Sequence, residues 1–121
     1  MRRFSTALVS LVVLATGLAA ASLAPDVGPK ADVAAVKRVE AAAGNKVIAV
    51  HVSGNYALVN WYDAHGSGPA VLKRVGGKWK VIYTDGGVTF PSILIQHGIP
   101  AATARQLCAG WPRSYTVCGR G

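Results

Sequence analysis

Residues 46–84 read KVIAVHVSGNYALVNWYDAHGSGPAVLKRVGGKWKVIYT. Apolar residues alternate with polar ones at period two, which suits strands because successive side chains leave opposite faces. Lys46 to Val52 places Ile48, Val50 and Val52 on one face and Val47, Ala49 and His51 on the other. Ser53-Gly54-Asn55 turns the chain into a second strand, Tyr56 to Asp63. There Ala57, Val59 and Trp61 share a face, and Tyr56, Leu58, Asn60 and Tyr62 share the opposite one. Ala64 to Pro69 reads as the longest turn, and Ala70 to Val75 as the third strand. Gly76-Gly77 is a two-residue link of the kind that needs positive φ, which glycine adopts without steric cost. Lys78 to Thr84 is the fourth strand, with Trp79, Val81 and Tyr83 expected on one face. Short links make all neighbours antiparallel, in the order 1-2-3-4.

Working outward, Asp32 is placed to cap a helix running to Ala43, with Gly44 as its stop. Val33, Val36 and Val39 form its apolar stripe, and Lys37, Arg38 and Glu40 fall outside it. The stripe is expected to cover one face of the sheet. After the sheet, Thr89 is read as the cap of a short helix with Pro91 early in it and Gly98 at its end. The run Ile93-Leu94-Ile95 also fits a strand. Pro100 opens a further helix, Ala101 to Cys108, with Ala104 and Leu107 inward and Gly110 beyond its end. The fold class is therefore α+β: an N-terminal helix on a four-stranded antiparallel meander, then one or two short C-terminal helices and a tail closed by a disulfide.

The first 21 of the 121 residues read as a signal peptide. Arg2 and Arg3 precede an uncharged apolar run from Ala7 to Ala21, and Ala19-Ala20-Ala21 fits a small-x-small cleavage site. The run is short for a spanning helix, so no transmembrane span is expected after cleavage. Residues 22–30 (SLAPDVGPK) read as a flexible lead-in, and 31–121 as one small domain. The chain is thus expected to be exported, periplasmic or secreted. Its net charge of +8 becomes +6 without Arg2 and Arg3, and it has only five acids. A basic exported protein meets anionic lipid, polysaccharide or nucleic acid, or carries the excess charge simply for solubility. The basic residues are scattered along the chain rather than run together, and specific nucleic-acid binding is not expected. Cys108 and Cys118 are the only cysteines, and in an exported chain an isolated pair is most simply a disulfide. The alternatives are a redox pair, which favours Cys-x-x-Cys, and a metal site, which wants more ligands.

The words Asn55-Tyr56-Ala57-Leu58-Val59, Ala70-Val71-Leu72-Lys73-Arg74, Gly77-Lys78-Trp79-Lys80-Val81-Ile82 and Gly98-Ile99-Pro100 form a layout with Ala104 and Leu107. It resembles that of small exported bacterial proteins of unknown function, over residues 46 to 108. The resemblance implies the fold and carries no catalytic residues. A helix followed by a four-stranded meander is also similar in architecture to cystatin-like and NTF2-like folds, which host inhibitors, binding modules and some enzymes.

No catalytic or cofactor motif stands out, and no cofactor or metal is expected. Asp63, His65 and Ser67 lie close together, but Gly66, Gly68 and Pro69 among them make turn chemistry the simpler account. Tyr56, Asn60 and Tyr62 share a strand face, and Lys73, Arg74, Lys78 and Lys80 cluster around the Gly76-Gly77 hairpin. Aromatic groups mixed with basic ones suit an anionic polymer, a sugar or a protein partner. These seven residues are the candidate partner-binding set. The leading expectation is a non-enzymatic binding module at the cell envelope, held to an anionic envelope component or an exported protein. A second is an inhibitor or immunity-type protein, since Ser53-Gly54-x-Tyr56 resembles the Ser-Gly-x-x-Tyr loop of bacterial lysozyme inhibitors at a different spacing. A third is a small hydrolase using His51, His65 or His97.

Overall fold

The structure is a computed structural model that describes residues 26–111 and 117–119. The expected signal segment, residues 22–25 and most of the tail lie outside the described residues. Helix α1 (Lys30–Ala42) leads into strands β1 (Lys46–Ser53), β2 (Tyr56–Asp63), β3 (Gly66–Val75) and β4 (Lys78–Thr84). Helices α2 (Pro91–Gln96) and α3 (Ala101–Cys108) follow. The strands form one antiparallel sheet in the order β1-β2-β3-β4. This is the α+β meander that the alternation predicts. Gly76 and Gly77 both have positive φ, at 58° and 78°, as a primed two-residue turn requires.

Both faces of the sheet are covered. On one, Val33 and Val36 of α1 pack on Val50, Val52, Ala57, Val59, Ala70, Leu72 and Trp79. On the other, Leu58 and Val71 meet Leu94 of α2, Ile99, Ala104 and Leu107 of α3, and Val117. Full burial of each such aliphatic side chain contributes about 2 kcal/mol. The result is a helix–sheet–helix sandwich with two thin cores.

Two bulges break the simple alternation. Ile48 has no partner on β2, because Val47 opposes Trp61 and Ala49 opposes Asn60. The extra residue inverts the parity behind it, so Val47, rather than Ile48, joins Val50 and Val52 under α1. Ile82 is likewise unopposed between Val81 and Tyr83. Trp79 therefore sits in the α1 core, whereas Tyr83 packs against the α2–α3 core. The expected shared face of Trp79, Val81 and Tyr83 is corrected accordingly. Both isoleucines are exposed, at 36% and 38%.

Other boundaries move for local reasons. The link between β2 and β3 is only Ala64-His65, and Gly66 to Pro69 belong to β3. Pro69 is tolerated in an inner strand because β4 has ended beside it. Its carbonyl accepts from the Asp85 amide, just past that end. Asp32 does not cap α1, which begins two residues earlier; it lies in the first turn and pairs with Arg74. Glu40 is buried at the base of α1, where its Oε2 accepts a hydrogen bond from Asn45 Nδ2. It was expected outside the stripe. Phe90, not Thr89, precedes α2, while Thr89 is buried and pairs with the tail. The Thr89 amide donates to Val117, and Gly119 donates back to Thr89 at 2.7 Å. Cys108 and Cys118 form the expected disulfide, with Cα atoms 5.4 Å apart, joining the end of α3 to that tail.

The lead-in is pinned from Asp26 onward, in contrast to the flexible segment expected. Val27 donates to the Val50 carbonyl at 2.9 Å and accepts from the Val52 amide at 2.7 Å. The Asp26 carboxylate takes the Val50 amide as well. The outer side of β1 is therefore occupied by the chain itself at Val50–Val52.

Candidate functional site

The candidate partner-binding residues divide by strand parity. Tyr56, Asn60 and Tyr62 do share a face, but α2 and α3 cover its middle. Asn60 is buried, Tyr56 is half-buried and Tyr62 is exposed at the rim. The meander thus has no open face of the kind expected for these three. Arg74 points to the α1 side, away from its lysine neighbours. Its Nη1 donates to Asp32 at 2.8 Å, its Nε donates to Asn55, and its guanidinium lies 5.2 Å from the Trp79 ring. Those contacts tie Arg74 into the fold.

Lys73, Lys78 and Lys80 remain together on the other side of the hairpin, all exposed. Lys73 and Lys80 are direct cross-strand partners, and Lys78 lies two residues from Lys80. Lys73 Nζ lies 5.7 Å from the Tyr56 ring, and Tyr56 opposes Lys73 across β2–β3. Like charges directly opposite one another destabilise a sheet, so nothing in the fold calls for this pair.

The five acidic side chains make their contacts away from the hairpin lysines. Of the five acids in the chain, Asp26 pairs with Lys37 and Asp32 with Arg74. Glu40 is held by Asn45. Asp63 accepts from the amides of His65 and Gly66, closing its own turn. Asp85 accepts from the Tyr83 hydroxyl and the Gly86 amide. Among the described residues, no carboxylate forms an ion pair with Lys73, Lys78 or Lys80. Lys30 and Arg38 also have no acidic partner among the described residues, but they lie apart from one another on α1.

The histidines fall in three separate places. His65 is exposed on the β2–β3 link. His97 tilts over the Tyr83 ring, with centroids 4.2 Å apart. Burial and the bond to Asp85 raise the Tyr83 pKa above its ordinary value, so Tyr83 holds its proton. His51 is buried on β1 and stacks on Trp111, with centroids 3.9 Å apart. Burial lowers its pKa, although the carbonyls of Leu107 and Ala109 and the charge of Asp26 act the other way. His51 borders a surface cleft of about 410 Å³ between β1 and α3, but its Nδ1 is closed off within the protein and has no hydrogen-bond partner. Among the described residues, no three His, Cys, Asp or Glu side chains are grouped to hold a metal ion.

Sequence reasoning missed the His51–Trp111 stack. The two residues lie on β1 and past α3, and neither carries a local signal of the other. It also missed the free edge at β4, because the strand order alone does not say which edge the flanking chain covers. Comparison with protein-family models, with curated proteins and with solved structures found no match.

Proposed function

We propose that the chain is a non-enzymatic binding module exported to the cell envelope, where Lys73, Lys78 and Lys80 hold an anionic partner. The observation that carries this reading is the concentration of three exposed lysines on one side of a hairpin, none of which pairs with a carboxylate among the described residues. Such a patch has unspent Coulombic attraction, and the facing pair Lys73–Lys80 gains most when an anion sits between them. The disulfide suits an oxidising, exported setting. No helix among the described residues is long and apolar enough to cross a membrane.

Co-sedimentation with isolated cell envelopes tests the reading. The disulfide-bonded chain is expected to pellet at low salt and to be released at high salt, because exposed charges are screened beyond a few ångströms there. The variant carrying Lys73→Glu, Lys78→Glu and Lys80→Glu is expected to stay in solution at both. Pelleting of that variant equal to the parent would remove the proposal.

A further inference from the structure

The two edges of the sheet are not alike. The outer side of β1 is taken at Val50–Val52 by Val27 and Asp26. Among the described residues, no strand lies beside the outer side of β4 and no backbone hydrogen bond from another segment reaches it. Alternate residues of an edge strand turn their N–H and C=O groups outward, so β4 offers an unpaired ladder. Val81 and Ile82 on that strand, and Val75 at the start of the hairpin, are exposed. Lys78 and Lys80 project from one side of the same edge, about 7 Å apart along the strand. That is the spacing of alternate side chains on a neighbouring strand.

Resting on the lysine-patch reading above, we propose that the partner is an extended acidic polypeptide segment that adds to β4 as a fifth strand. Acidic residues at alternate positions of such a segment meet Lys78 and Lys80 as cross-strand pairs, with Lys73 behind them. Main-chain hydrogen bonds supply affinity, and the charge pattern supplies selectivity. A lipid headgroup or a polysaccharide answers the lysines but has no amide ladder to offer β4. A second copy of the chain answers the ladder but not the charge. Two β4 edges pairing with each other would crowd Lys78 and Lys80 of both copies on one side, which lysines at an edge act to prevent. The bulge at Ile82 limits the regular edge to Lys78–Val81, so the added segment is short.

The test uses a capped synthetic peptide alternating glutamate with valine, titrated against the disulfide-bonded chain at low salt. A second peptide of the same sequence carries N-methyl groups on alternate backbone amides, which keeps the charge and removes the ladder. Phosphatidylglycerol vesicles and hyaluronate are titrated in parallel. Strand addition predicts binding of the plain peptide, slowed amide exchange on β4, and affinity weaker by about tenfold or more for the methylated peptide. Equal binding of both peptides, no binding of the plain peptide, or binding of vesicles or hyaluronate in preference to it, overturns the strand proposal. These results leave the lysine patch standing. Undiminished peptide binding by the variant carrying Lys73→Glu, Lys78→Glu and Lys80→Glu instead overturns the patch itself.

Discussion

His51 lies flat against the indole of Trp111, with the ring planes 15° from parallel. The stack joins β1 to the chain leaving α3, and Trp111 is itself anchored by its Nε1 donating to the Leu107 carbonyl at 2.8 Å. It places a titratable ring where charge is unwelcome, and this makes stability depend on pH.

The folded His51 pKa is depressed below the ordinary value of 6.5 by burial. The unfolded chain therefore takes up a proton on acidification that the folded chain refuses. The contribution is fully present above the unfolded pKa and is lost as the pH falls through it toward the folded value. Each unit of depression corresponds to about 1.4 kcal/mol. Urea midpoints are expected to fall between neutral pH and mildly acidic pH in the parent. His51→Phe keeps an aromatic ring for the stack and should remove that part of the fall. An identical pH dependence in the variant would show that His51 is not its source.

The basic residues of the hairpin should separate into two kinds. Arg74→Ala removes an ion pair, a hydrogen bond and a contact on Trp79, and is expected to cost about 1–2 kcal/mol. Lys73→Glu replaces a like-charge pair with Lys80 by an opposite one and should raise stability by about 0.5 kcal/mol. Denaturant unfolding of the two single variants decides the matter. A loss in both would mean that Lys73 has a structural role that its exposure does not indicate.

Gly68 and Gly66, on the same strand, should respond very unequally to alanine. A Cβ on Gly68 would run into the carbonyl of Asp85, which is backbone and cannot swing away. A Cβ on Gly66 meets nothing within 4 Å. Gly68→Ala is expected to lose about 2 kcal/mol or more, and Gly66→Ala to change stability by less than about 0.5 kcal/mol. Thermal or urea unfolding of each variant measures the difference.

Loss of the Cys108–Cys118 bond, by reduction or by paired serine substitution, is expected to cost about 2–4 kcal/mol. Because the bond holds the tail that pairs with Thr89, the Gly119 amide should exchange with solvent markedly faster. A Gly119 amide that stays protected after reduction would mean that the strand pairing at Thr89 holds the tail unaided.

Four strands, their order, the Gly76-Gly77 turn, the first helix, the helix at Ala101–Cys108 and the cysteine pairing were legible along the chain, whereas the choice between helix and strand for Pro91–Gln96 was made only by the tertiary structure. Each legible feature rests on interactions between near neighbours: side-chain alternation, turn conformations that glycine supplies, helix stops, and a pair of cysteines with no other partner. The candidate site was legible only in part. The clustering of Lys73, Lys78 and Lys80 follows from a tight hairpin, but the diversion of Arg74 to Asp32 depends on where α1 lies. The faces of Trp79 and Tyr83 depend on Ile82, which looks like any other β-branched strand residue until its neighbour on β3 is known. The burial of Asn60, the stack of His51 on Trp111 and the free edge of β4 belong to the same class. Local preferences decide which residues form an element. Which face an element buries, and which edge stays open, is decided by packing between distant segments, and one extra residue in a strand is enough to invert it.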